Sequence, residues 1–195
     1  MDYVNLSLSE VFDEAEAIAA DAKTLFGHLN AQQINWKPGA DSWSVAQCLE
    51  HLIAANGAFY PQFDQIISGE KKATLWQRMP VLPGLFGKML VKSQVPNSHQ
   101  KFKAPALARP SASAVDPQVV DRFVENHRET MAKLRAMERH DPAKIIVTSP
   151  FLKVITYSVL DAARLVVAHE RRHFAQAQRV METEGFPNSD QYRER

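Results

Sequence analysis

Apolar positions recur at spacings of three and four over four long stretches of the chain, and no stretch shows sustained two-residue alternation. The first stretch runs from about Ser7 to Leu29, with Leu8, Val11, Phe12, Ala15, Ile18, Ala19, Ala22 and Leu25 on one stripe. Ser7 and Glu10 stand at capping-box spacing before it. The second begins near Ser42 or Ser44, where Ser44 and Gln47 offer another capping box. It continues through Val45, Cys48, Leu49, Leu52, Ala55, Phe59 and Phe63, with Pro61 expected to kink or end it. The third opens on Asp116-Pro117, an N-cap followed by a proline suited to the first helical position, and carries Val119, Val120, Phe123, Val124, His127, Met131 and Leu134 up to about Met137. The fourth starts near Ser158 and runs to about Glu184, where Gly185 and Pro187 stop it. Four long amphipathic helices without strands predict an all-α four-helix bundle.

Between the second and third stretches lies a region of another kind. Residues 68–116 hold Pro80, Pro83, Pro96, Pro105 and Pro110 together with Gly69, Gly84 and Gly87. A short helix fits at Thr74–Met79 or at Leu85–Val91. A connection this long is unusual inside a domain and points to a crossover or a function. From Lys71 to Val115 there is no acidic residue, against the eight basic residues Lys71, Lys72, Arg78, Lys88, Lys92, Lys101, Lys103 and Arg109. Interleaved with them are Trp76, Leu82, Leu85, Phe86, Met89 and Leu90. A lid packed on the bundle is the expected role. An anionic cosubstrate or a nucleic acid would also be drawn to such charge, and steep salt dependence would mark the latter.

Composition adds bounds. A chain of 195 residues with 45% hydrophobic and 23% charged residues suits one domain spanning 1–195. The net charge of +1 argues for no particular partner, so nucleic acid is not expected and a homodimer is left open. The lone cysteine, Cys48, excludes an internal disulfide framework and fits a reducing compartment. Met1-Asp2-Tyr3-Val4 lacks the pattern of a secretory leader, and no apolar run approaches about 18 residues, so the expectation is a cytoplasmic protein without a membrane span.

The chemistry concentrates in Leu165-Val166-Val167-Ala168-His169-Glu170-Arg171-Arg172-His173. His169 and His173, four apart, share one face of the last helix, between Leu165 and Val166 before and Ala177 and Val180 after. Two imidazoles aimed at a core need partners, because an unsatisfied buried polar group costs roughly 1–3 kcal/mol. A divalent metal would satisfy both, and a catalytic site of this kind usually wants a third protein ligand. Among the remaining histidines His51 is the first candidate, flanking the inward stripe of the second helix, and His127 is the second. His28, His99 and His140 fall at helix ends or in the long loop. The same five residues fit the H-E-x-x-H pattern of zinc proteases. That reading fails, because the extended pattern's glycine and third histidine are here Gln176 and Arg179, and only 22 residues follow His173. Glu170, about 100° round the helix from His169, is expected to face solvent in a salt bridge. Cys48 is expected to be a small core residue, with a fourth-ligand role as the alternative. Trp36 and Trp43 are expected to anchor the first interhelical loop, and Gln176 to hydrogen-bond a ligand histidine.

Two segments in order resemble the DinB-like superfamily of metal-binding four-helix bundles, which includes the YfiT-like proteins. Trp43-Ser44-Val45, leading into Leu49-Glu50-His51-Leu52, is similar to the family's W-S-x-x-x-x-x-x-H-L at the start of helix two. His169-Glu170-Arg171-Arg172-His173-Phe174-Ala175-Gln176 is similar to its H-x-x-x-H-x-x-Q on the last helix, and the Ser149-Pro150-Phe151 loop precedes that helix. The resemblance spans nearly the whole chain. It implies an up-down-down-up bundle with residues 68–116 as the long crossover between helices two and three. It also implies that His51, His169 and His173 bind one divalent metal: zinc or nickel first, iron or manganese otherwise. Family members with known activity include thiol-dependent S-transferases and a thiol-dependent isomerase. The expected function is therefore a metal-dependent enzyme that activates a low-molecular-weight thiol for transfer, or water for hydrolysis, on a small-molecule substrate. The alternative is a non-enzymatic, stress-associated metal-binding bundle acting through a partner or as a dimer. No residue beyond the three histidines receives a catalytic assignment from the sequence.

Overall fold

The capping signals at Ser7, Ser44 and Ser158 start helices where the sequence places them, and a further one at Asn30 opens a short helix within the first interhelical loop, where none was expected. In the computed structural model of the protein, which describes residues 1–70, 82–96, 103–112 and 114–187, Ser7, Asn30 and Ser44 sit in extended backbone. Each closes a reciprocal capping box, opening α1 (Leu8–Phe26), α2 (Ala31–Asn35) and α3 (Val45–Gly57). Ser158 caps α7 (Val159–Met181) by accepting from the Asp161 amide at 3.0 Å, and Gly185 follows the helix in the left-handed region at φ 88°. The second periodic stretch breaks in two. Pro61 has no N–H to offer the carbonyl four residues back, so α3 stops at Gly57 and α4 (Tyr60–Ile67) begins with the proline in its first turn. Asp116 caps a turn, accepting from the Gln118 amide through its side chain, and α6 (Val119–Ala136) begins just after it.

Helices α1, α3, α6 and α7 pack on one another around a shared core. Phe174 of α7 sits at its centre, edge-on to Phe26 of α1 at 5.2 Å and 5.5 Å from Phe123 of α6. The described structure is mostly helical, in keeping with the all-α expectation, and amends it only by one small ladder where no strand was expected. Ile146–Thr148 (β1) and Thr156–Ser158 (β2) pair antiparallel, with Val147 opposite Tyr157. Three-residue strands are too short to show alternation in a sequence. The Gln62 side chain extends this ladder, donating to the Thr148 carbonyl at 2.7 Å and accepting from the Thr148 amide at 3.0 Å.

Part of the proline-rich region is described. Leu82–Ser93 forms α5, which lies against β2 and α7, and a 3-10 turn at Ala106–Ala108 lies on α3. Of the residues singled out in this region, Lys71, Lys72, Trp76, Arg78, Pro80, His99 and Lys101, with the short helix expected at Thr74–Met79, lie outside the described residues. Among the described residues no helix is long and apolar enough to cross a membrane.

The fit of α5 on α7 rests on a missing side chain. A Cβ placed on Gly87 would stand 2.8 Å from Asp161 Cβ and 2.7 Å from its Cγ, whereas one on Gly84 meets nothing. Asp161 has no freedom to yield, because it is bonded to Ser158 and Arg164. Gly87→Ala is therefore expected to lower stability by about 1–3 kcal/mol, as overpacking does. Gly84→Ala should be neutral or stabilise by up to about 1 kcal/mol, the ordinary gain in a helix. Thermal unfolding of the two variants side by side checks the contrast.

Candidate metal centre

Successive residues of an α-helix point about 100° apart, and four neighbours on α7 reach four parts of the fold. His169 faces a cleft, Glu170 the α3–α6 contact, Arg171 the α1 acids Glu14 and Asp21, and Arg172 the carbonyls of Ser93 and Val95 at the end of α5. His173 returns to the cleft one turn on. Across from it, α3 presents His51. The three imidazoles meet through one nitrogen each. His169 Nε2 lies 3.2 Å from His51 Nε2 and 3.1 Å from His173 Nε2. The set is the one group among the described residues whose His, Cys, Asp or Glu side chains converge well enough to hold a metal ion.

The surroundings favour coordination. His51 Nδ1 is 2.5 Å from the Ala108 carbonyl, so it carries the proton and leaves the Nε2 lone pair facing the other rings. Burial lowers the proton affinity of His51, against the Ala108 hydrogen bond. Burial, then the charges of His51 and Arg172, push His169 down to about 3. Burial, then His169, His51 and Arg172, holds His173 well below the usual histidine range, with Gln176 opposing. At neutral pH the site is three uncharged imidazoles. A tetrahedral metal with nitrogens at about 2.0–2.1 Å sets them about 3.3 Å apart, close to the observed spacings. His173 Nδ1 is buried with no hydrogen bond of ordinary geometry among the described residues, and Gln176, expected to anchor a ligand histidine, lines the same cleft and raises that ring's proton affinity.

The family follows from the same residues. The DinB superfamily model matches residues 14–177, a span that holds all three histidines. The chain belongs to the DinB superfamily. No curated protein matches it. Superfamily membership and the buried histidine cluster together are compatible with metal binding.

Within this DinB chain the other expected residues fall variously. Cys48 is fully buried on α3, outside the cluster, with burial pushing its thiol up to about 12 against the pull of Arg179. Trp36 packs edge-on to Phe186 at 5.6 Å, as a loop anchor should. Trp43 does more than anchor. Its ring stacks on His173 at 5.8 Å and tilts against His51 at 5.0 Å, so it walls the triad. Its place just before the Ser44 cap, eight residues before His51, was the available signal.

Glu170 overturns its expectation. It is fully buried rather than solvent-facing, and it takes the second-choice ligand His127 away from the metal centre. His127 Nδ1 lies 2.9 and 3.0 Å from the two Glu170 oxygens, and its Nε2 lies 3.0 Å from the Ala15 carbonyl. Asn56 donates to the same carboxylate at 2.9 Å and to Asn126 at 3.2 Å, and Tyr60 and Thr130 continue the chain of bonds. The reason is crowding. α7 is covered on several sides, so a position 100° from the ligand face still points inward.

Above the triad the cleft has a volume of about 1730 Å³. Its walls come from α3, α7, the end of α5, the 103–109 segment and the β1–β2 loop, with Phe59, Phe151 and Tyr157 among the aromatic lining.

Proposed function

We propose that this protein is a divalent-metal-dependent enzyme in which His51, His169 and His173 hold the metal and the cleft receives a low-molecular-weight thiol together with a small electrophile. Hydrolysis, with water in place of the thiol, is the other reaction the same site would serve. The observation that carries the reading is the convergence of three uncharged Nε2 donors at the floor of an open cleft rather than in a closed core. Zinc or nickel is the first assignment, and iron or manganese the next. The reading takes residues 1–195 as one unit whose four long helices run up-down-down-up with 68–116 as the crossover; the packing of α1 and α3 against α6 and α7 supports the bundle itself. A reducing, cytoplasmic setting suits the lone buried thiol of Cys48.

A bound divalent metal supplies positive charge that favours the thiolate over the thiol, or hydroxide over water. The chain's own residues do the rest. The Ala108 carbonyl fixes the His51 tautomer and ring orientation. Trp43 covers the imidazoles of His51 and His173 on one side and keeps water from that face. The side facing the cleft stays open, which leaves room for an exchangeable ligand.

The test is a metal count. Protein purified without a histidine tag or chelator should carry near-stoichiometric divalent metal by elemental mass spectrometry, and His51→Ala and His173→Ala should each lose it. Thiol transfer to electrophiles should then follow metal content across the three proteins. Wild-type protein that takes up none of zinc, nickel, iron or manganese would sink the reading.

A further inference from the structure

The charge on the cleft walls is lopsided. Of the described residues that line it, Asp41 alone is acidic, and Lys103, Arg109, Arg172 and Arg179 are basic. The basic groups stand on two walls. Arg172 and Arg179 continue the α7 stripe that carries His169 and His173, and Lys103 and Arg109 lie opposite, on the segment whose Ala108 carbonyl holds His51. Arg172 is positioned by two backbone carbonyls, Ser93 at 3.1 Å and Val95 at 3.5 Å. Lys103, Arg109 and Arg179 make no ion pair among the described residues. Three neutral imidazoles also leave the charge of a divalent ion at the floor uncompensated. A concave site with charge of one sign on floor and walls concentrates ligands of the opposite sign.

Resting on the function proposed above, we infer that the thiol or its partner substrate is a small organic acid. Its reacting end sits at the triad and its carboxylate lies against Arg179 and Arg109, with Arg172 as a fixed cation between them and the metal centre. Helix rise sets the scale. Arg179 is six residues beyond His173, about 9 Å along the axis at 1.5 Å per residue, so the acid group and the reacting atom belong to opposite ends of a molecule of roughly that length. The cations are spread singly along the cleft and are not gathered with backbone amides at a helix N-terminus, which suits carboxylates better than a phosphate.

The test uses two matched probe pairs. On metal-loaded protein, 6-mercaptohexanoic acid, whose extended chain sets sulfur and carboxylate about that far apart, should bind at least about tenfold more tightly than its uncharged amide, read by calorimetry. Arg179→Gln and Arg109→Gln should each shrink that preference, and the double variant should bring acid and amide within about twofold. Both arginines are exposed, so folding is not at stake, and metal content is counted on the same samples. The second pair is the same acid and amide with the sulfur methylated, measured by NMR on metal-free protein, where binding owes nothing to a metal. A retained acid preference there, with no metal in the wild type, supports the anion site while the metal reading fails. Equal binding of acid and amide by wild-type protein, or a preference that survives the double variant, overturns the inference whatever the metal count.

Discussion

Glu170→Ala is expected to lower the unfolding free energy by about 3–5 kcal/mol, the usual cost of removing one member of a buried ion pair. The carboxylate and the His127 imidazole are both fully buried, and Asn56 completes the coordination of the oxygens. Without Glu170, the imidazole loses its carboxylate partner and the Asn56 amide one of its two acceptors, and the site keeps a cavity. His127→Phe should cost a similar amount, because it leaves a carboxylate in the core with only the Asn56 amide. Replacing both partners, His127→Phe with Glu170→Leu, should recover most of either loss, since an apolar pair needs no mutual satisfaction. Urea unfolding with an unchanged slope would read the three values. Strictly additive losses would mean that the two residues do not act as a pair.

The pair also gives stability a pH dependence with a definite sign. Burial by itself would lower the proton affinity of His127, but the charge of Glu170, its hydrogen bond, the Ala15 carbonyl and Glu16 outweigh burial, so the net shift is upward. A raised histidine adds stability that is fully present below the unfolded value of about 6.5 and is lost as pH rises through the folded value. The gap between wild type and His127→Phe should therefore be widest near pH 6 and narrow in alkali. A gap that widened in alkali would mean the imidazole is held neutral.

These buried polar residues also show where sequence reading stops. Periodicity located α1, α6 and α7 to within a turn or so, because caps and stripes act locally: Ser7, Ser44 and Ser158 need only their own next few residues. The helical spacing of His169 and His173 was legible for the same reason. That His51 meets them is a fact of α3 packing on α7, and spacing alone left His127 in contention. Glu170 was misjudged because amphipathic reasoning allots a helix one buried face, and α7 has contacts on α1, α3 and α5 together. The β1–β2 ladder was missed for its brevity. Trp43 was read as a loop anchor because nothing local says that the loop folds back over the histidines.

Adding zinc to chelator-stripped protein should raise its melting temperature by roughly 8–16 °C once free zinc reaches about a thousand times Kd. Ligand that binds only the folded state then contributes about 4 kcal/mol, and a chain of this length moves about 2–4 °C per kcal/mol. His169→Ala should abolish the increment, because its Nε2 is the atom within 3.2 Å of both partners. Cys48→Ala is the informative comparison. A metal shell closed by protein would draw on this thiol, the chain's one cysteine and three residues from His51, and would have to ionise it. Burial holds the thiol at about 12, and its place outside the converging cluster gives it no share in the donor geometry. The variant should start from a somewhat lower melting temperature, for the lost core volume, yet gain as much from zinc as the wild type. An increment that vanished with Cys48 would mean a four-ligand, closed centre with no position for a thiol or water, and the non-enzymatic reading would replace the enzymatic one. An undiminished increment leaves three protein ligands and an open fourth position, which is the condition the proposed chemistry requires.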